Sequence, residues 1–241
     1  SFEIGRTFLN HGSFGACPDF VIAEQRKWQD LMEKEPVRFF EELMPNLLLK
    51  SREALGTFLS CSPNDLAFVS NATSGVNTIL RSLQFKQGDE ILVPNHAYQA
   101  CRNSIDFVAQ RSGATVVVVP IPFPIDGPQT VIEVMKSAYT ERTKLVMIDT
   151  VTSPTGLRMP FEELTSFFEN KGVEVLLDAA HGIGMIPLDL ETLGASYVTS
   201  NCHKWLCAPK GPACLYVRED KQAKIQPLTI SRGHTFPLGN T

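Results

Sequence analysis

LLDAAHGIGMIPLDLETLGASYVTSNCHKWLCAPKGPACLYV, residues 176–217, holds most of what decides the fold. It opens on the end of an apolar run, Val173–Asp178, that is the length of a strand and stops at a carboxylate. A second run, Ser196–Ser200, leads into Asn201-Cys202-His203-Lys204-Trp205, and a third covers Ala213–Val217. Runs this short, bounded by polar residues and by Gly and Pro, read as buried strands rather than helices. No long amphipathic stretch separates the last two, which leaves one of them free to run antiparallel to its neighbours.

Working back toward the amino terminus, the same pattern repeats. Ala67–Ser70, Glu90–Val93, Thr115–Val119 and Lys144–Asp149 read as strands, interleaved with helical patterns at Thr73–Leu83, Tyr98–Ser112, Gln129–Tyr139 and Phe161–Asn170. Such alternation predicts an α/β fold: a mostly parallel seven-stranded sheet with helices on both faces. Residues 1–60 read differently, as a helical segment. Pro18 sits near the start of a pattern carrying Val21, Ile22, Trp28, Leu31 and Met32, and a second stretch from Val37 to Leu59 is expected to bend or break at Pro45. The sheet domain is then 61–225, with 226–241 opening a carboxyl-terminal region that the chain does not complete.

Bulk properties narrow the function. Twenty-two basic against twenty-six acidic residues give a formal charge of −4, no electrostatic basis for a nucleic-acid or anionic-membrane partner. The longest apolar runs, such as Ala114 to Pro120, are too short to span a bilayer. The opening SFEIGRTFLNHGSFG has no secretory pattern and reads like the interior of a longer protein. The six cysteines, at 17, 61, 101, 202, 207 and 214, show no disulfide or zinc spacing. Reduced thiols filling a core are expected, with no metal site and a cytoplasmic setting.

In open α/β sheets, ligands bind at the carboxyl ends of the strands, so the residues just past each run matter most. After Ala67–Ser70 come Asn71-Ala72-Thr73-Ser74-Gly75 and a helix, whose first amides and the hydroxyls of Thr73 and Ser74 suit an anion. After Glu90–Val93 comes His96, and after Lys144–Asp149 a turn, Thr150-Val151-Thr152-Ser153-Pro154-Thr155-Gly156. Asp178 at the tip of a buried strand needs a positive partner, which a protonated pyridine nitrogen would supply. Lys204, beside an aromatic residue at another strand tip, suits an amine partly desolvated for Schiff-base chemistry. Each feature alone has an ordinary explanation: a helix cap, a surface histidine, turn punctuation, a solvated lysine. Their convergence on one rim carries the weight. Gly182-Ile183-Gly184 imitates part of a dinucleotide fingerprint but lacks the third glycine and the helix after it.

The string at 176–217, with FLNHGSFGACP at 8–18 and FVSNATSGVNTIL at 68–80, resembles the fold-type I pyridoxal-phosphate enzymes of the class-V aminotransferase group. Within that group it is similar to the isopenicillin-N-epimerase-like branch, related to cysteine desulfurases. The interval from Asp178 to Lys204 matches the group's pattern. The resemblance implies pyridoxal 5'-phosphate as cofactor, with Lys204 as the Schiff-base lysine and Asp178 facing the ring nitrogen. It implies His96 stacked on the ring, His181 beside the phenolic oxygen where many relatives have Gln, and Ala72, Thr73, Ser74, Ser200 and His203 around the phosphate. Ser153, where several relatives have Asn, would contact the cofactor or the substrate, and Asn10, His11 and Gly12 would border the substrate carboxylate. It further implies a homodimer acting on a small amino acid substrate, by epimerisation, elimination or transamination. A cysteine-desulfurase-type sulfur transfer is the rival chemistry, and a truncated, catalytically impaired relative the rival of another class. Relatives continue into a carboxyl-terminal domain that supplies a substrate arginine and, in desulfurases, a mobile cysteine. Neither Arg232 nor Cys214 is expected to take those roles.

Overall fold

A computed structural model describes residues 2–231 and 234. The amino-terminal segment forms α1 (Asp19–Lys34), a short turn of helix α2 (Pro36–Arg38) and α3 (Met44–Leu59). Between the last two lies a π-helical turn, Phe39–Leu43, and Pro45 sits in the first turn of α3, where its missing N–H costs nothing. The break anticipated at Pro45 is therefore a widened turn placed just before it.

The remaining elements follow in strand–helix alternation: β1 (Leu66–Val69), α4 (Ala72–Ser82), β2 (Glu90–Pro94), α5 (Gln99–Ser112), β3 (Thr115–Val119), α6 (Pro128–Ser137), β4 (Thr143–Asp149), α7 (Phe161–Asn170), β5 (Glu174–Asp178), α8 (Leu190–Leu193), β6 (Tyr197–Asn201) and β7 (Ala213–Val217). They build one seven-stranded sheet in the order β1-β7-β6-β5-β4-β2-β3. Only β7 runs against the rest, pairing antiparallel with both β6 and β1. It is the strand reached without a long helix, as the short connection requires. Of residues 226–241, the carboxyl-terminal stretch, those up to Ser231 and His234 are described.

Alternation along the central strands explains the two helical layers. Leu145, Met147 and Leu176 pack with Val76, Ile79 and Leu80 of α4 and Cys101 and Ile105 of α5. Their neighbours Val146, Ile148, Val175 and Leu177 pack on the other side with Met135 of α6, Phe161, Leu164 and Phe168 of α7, and Leu55 and Leu59 of α3. Strands buried on both faces have no polar side to show, which is why they read as unbroken apolar runs. Because β1, β2, β4, β5 and β6 all point the same way, their carboxyl ends and the loops after them share one rim.

Candidate active site

Two carboxylates end adjacent strands on that rim. Asp149 and Asp178 are register partners in the β4–β5 ladder, each 2% exposed. Asp178 accepts from the Ala180 amide through Oδ1 (2.9 Å) and from the Cys101 thiol through Oδ2 (3.3 Å). Burial raises its pKa, with the Ala180 amide, the Cys101 thiol and Lys204 pulling it back. Asp149 is pushed well above the carboxylate range by burial and then by Asp178, opposed by the Tyr98 amide, its own amide and Lys204. Its Oδ2 has no hydrogen-bond partner among the described residues.

Lys204 follows β6, and its Nζ lies 3.1 Å from His181 Nε2. Burial holds the amine below the usual lysine range, while Asp178, Cys101 and Asp149 pull the other way. His181, three residues past Asp178, is pressed down to about 4 by burial and by Lys204, so at neutral pH it is uncharged. Its other nitrogen, Nδ1, accepts from the Trp205 indole at 3.2 Å.

His96 lies under the turn after β4. Nε2 meets the Ile121 carbonyl at 3.2 Å, so it carries the proton, and Nδ1 accepts from the Thr155 hydroxyl at 3.0 Å. Thr155 in turn contacts Thr152 Oγ1 at 2.7 Å. The imidazole is buried and fixed at both nitrogens.

The start of α4 reaches the same rim. Asn71 caps it by accepting from the Ser74 amide, and Asn201 at the end of β6 accepts from the Ala72 amide at 2.9 Å across the buried seam. Ser74 Oγ lies 2.9 Å from Ser70 Oγ, and Thr73 is near enough to the Cys101 thiol to pull its pKa down against burial. The Ser200 hydroxyl, wholly buried, donates to the Ala179 carbonyl at 2.5 Å, and His203 Nδ1 meets the Pro212 carbonyl at 3.3 Å. Ser153 is exposed in its turn.

Of the amino-terminal trio, Asn10 Oδ1 caps a local turn through the Ser13 amide, and His11 Nδ1 accepts from the Ala16 amide. Gly12 alone touches the rim: a Cβ there would stand 3.2 Å from Trp205 Cζ2 and 3.4 Å from His181 Cε1. The structure thus brings Lys204, Asp178 and His181 together, with Gly12 against His181 and Trp205. Sequence reasoning passed over Asp149, Cys101 and Asn201, and took Trp205 only as an aromatic neighbour of Lys204. Asp149 carried the signal that singled out Asp178, an acid at the tip of an apolar strand; Cys101 carried none.

Residues 36–236 match the family model for class-V aminotransferases. The chain belongs to that family. Among curated members it is 34% identical over 233 residues to a putative L-cysteine desulfhydrase 1 of Oryza sativa subsp. japonica, covering 90% of this chain and 48% of that one. It is also 34% identical over 241 residues to an isopenicillin N epimerase of Amycolatopsis lactamdurans, covering 97% and 59%. This class-V chain therefore spans about half the length of the curated relatives it matches. Among solved structures, the cystine C–S lyase C-DES in complex with its reaction product cysteine persulfide superposes with a TM-score of 0.83 at 24% identity, covering 94% of this chain and 61% of that one. A mutant of the same lyase, with glycine covalently linked to its PLP cofactor, gives 0.84 at 23% identity, covering 94% and 60%. The class-V fold is thus shared across nearly all of this chain.

Proposed function

We propose that this chain is the cofactor-binding portion of a pyridoxal-phosphate enzyme acting on an amino acid substrate. One observation carries the reading: an amine with a lowered pKa, Lys204, and a buried carboxyl short of a cation, Asp178, stand on neighbouring strand tips. The donor set fits the group. Asp178 is held by one amide and one thiol and takes no hydrogen bond from Lys204, whose amine meets His181 instead. A protonated ring nitrogen is the charge such a site needs.

When bound, pyridoxal phosphate supplies an aldehyde that condenses with amines and a ring that withdraws electrons from the bonds of the α-carbon. Lys204 Nζ would be the amine that meets that aldehyde and, as a free base, the group placed to take a proton from the substrate α-carbon. Asp178 would hold a proton on the ring nitrogen. His181 Nε2–H would face the phenolic oxygen, and His96, its plane locked by Ile121 and Thr155, would lie against the ring. Ala72, Thr73 and Ser74 at the start of α4, with Ser200 and His203, would hold the phosphate, where the helix dipole favours an anion. Gly12 would border the substrate, and Ser153, exposed in the turn after β4, would contact cofactor or substrate.

The relatives' names, L-cysteine desulfhydrase and isopenicillin N epimerase, support elimination or epimerisation at an amino acid α-carbon. Sulfur transfer of the desulfurase kind is less well supported. Cys101, the thiol bonded to Asp178, has its pKa driven up by burial and by that carboxylate, the opposite of what a nucleophile needs. We further propose a homodimer in the cytoplasm. Large apolar side chains left exposed on residues 20–58, Phe20 at 77% and Phe58 at 56% among them, support the dimer. Unpaired cysteines throughout support a reducing setting.

The test is spectroscopic. Lys204→Ala is expected to abolish the visible absorbance that the protein acquires from the cofactor, while the phosphate site still retains it weakly. An unchanged visible spectrum would show that another amine holds the cofactor.

A further inference from the structure

Trp205 is the next residue after Lys204, and its indole N–H ends on His181 Nδ1 at 3.2 Å. An indole nitrogen can only donate, so Nδ1 must present its lone pair there. A neutral imidazole with a bare Nδ1 carries its proton on Nε2. That nitrogen faces Lys204 Nζ at 3.1 Å, so Nε2–H donates and the amine accepts. The reverse arrangement, an ammonium donating to Nε2, would move the imidazole proton to Nδ1 and set two donors against each other at the indole. Only a deprotonated Lys204 satisfies all three groups at once.

The indole is also held where it must be. Gly12 lies against both rings, with its hypothetical Cβ 3.2 Å from Trp205 Cζ2 and 3.4 Å from His181 Cε1. Gly184, at φ +86°, lets its turn pass over the Trp205 backbone, where a Cβ would come within 2.6 Å of the carbonyl. Chain from the amino terminus, from the turn after β5 and from the loop after β6 therefore meets around one N–H···N contact.

We propose that Trp205 is a positioning residue: its indole N–H fixes the tautomer of His181, so that Nε2–H is aimed at Lys204 and holds that amine as the free base. The proposal rests on the reading of Lys204 as the reactive amine and adds to it what keeps the amine unprotonated. The charged and titratable groups around Lys204 are Asp178, Asp149 and Cys101, all of which favour the ammonium. A donor aimed at Nζ opposes them. Burial, the larger cause of the lowered His181 pKa, acts whether or not Lys204 is charged, so the imidazole stays neutral and can play that part.

The experiment uses the protein before cofactor is added. Histidine labelled with nitrogen-15, assigned by comparison with His181→Gln, reports which ring nitrogen of His181 carries the proton at pH 8. The expected result is Nε2–H; a proton on Nδ1 in the unaltered protein overturns the proposal whatever any variant does. Trp205→Phe keeps the aromatic body and removes the N–H. In it, His181 should shift toward the Nδ1–H form, and the pH midpoint for reductive methylation of Lys204 should rise by about one unit, the size of one net hydrogen bond. An unchanged tautomer and midpoint in that variant equally overturn it. Failure of the cofactor to attach at Lys204 would sink the functional reading while leaving the tautomer result standing, so the two claims fail separately.

Discussion

Asp149 and Asp178 differ in how they could be read from sequence. Both end an apolar strand, but only Asp178 stood within a recognisable run of site residues, so its neighbour on β4 was visible only once the ladder paired them. Trp205 and Cys101 were hidden for the same reason: their roles lie in contacts 24 and 77 positions apart along the chain, which no local pattern encodes. The state of Asp149 leads to a prediction. Its folded pKa is raised, by burial and by Asp178, with Cys101 and Lys204 also facing it. A raised folded value means the stability it contributes is full below about pH 4, the unfolded carboxyl value, and is lost as pH rises toward the folded one. Asp149→Asn, an uncharged isostere, should therefore gain on the unaltered protein as pH rises. Thermal unfolding at pH 4.5 and 7.5 checks this: the Tm difference should widen in favour of the variant at the higher pH, and a gap that narrows there would mean the carboxyl is ionised in the native state.

At the scale of elements, the strands were legible because burial on both faces leaves each an unbroken apolar run, and β7 could be suspected antiparallel from its short connection alone. Their order was not legible, since β2 entering between β4 and β3 depends on helix packing rather than on any strand's own sequence. Nor was the π-helical turn at Phe39–Leu43, where a run of helix formers gives no hint of widening. The seam between α4 and β6 is the joint that sets the proposed phosphate end of the site. Gly75 of α4 faces Thr199 so closely that a Cβ would stand 2.1 Å from its Oγ1 and 2.8 Å from its Cβ. Thr199 is fully buried, and its hydroxyl already donates to the Cys214 carbonyl at 3.0 Å. Gly75→Ala gains about 1 kcal/mol of helix propensity, but overpacking a closed seam costs about 1–3 kcal/mol. The clash should win, lowering Tm by several degrees and weakening cofactor binding as α4 is pushed off the rim. A raised Tm would mean that the seam is looser than these distances describe.

For the molecule as a whole, the sheet collects at one edge groups drawn from Gly12 to Trp205, so the site exists only when nearly all of the chain is folded. The exposed apolar side chains of the helical segment bear on assembly in the same way. Light scattering on the purified 26.7 kDa chain should return twice that mass; a monomer at micromolar concentration would contradict the proposed homodimer. The central claim is narrower than any of this: one amine and one carboxyl, on adjoining strand tips, bracket the cofactor. Borohydride reduction in the presence of pyridoxal phosphate, followed by peptide mass spectrometry, tests it most directly. A phosphopyridoxyl group on the peptide containing Lys204, and on no other, is the predicted result; a label on a different lysine, or none at all, would contradict it.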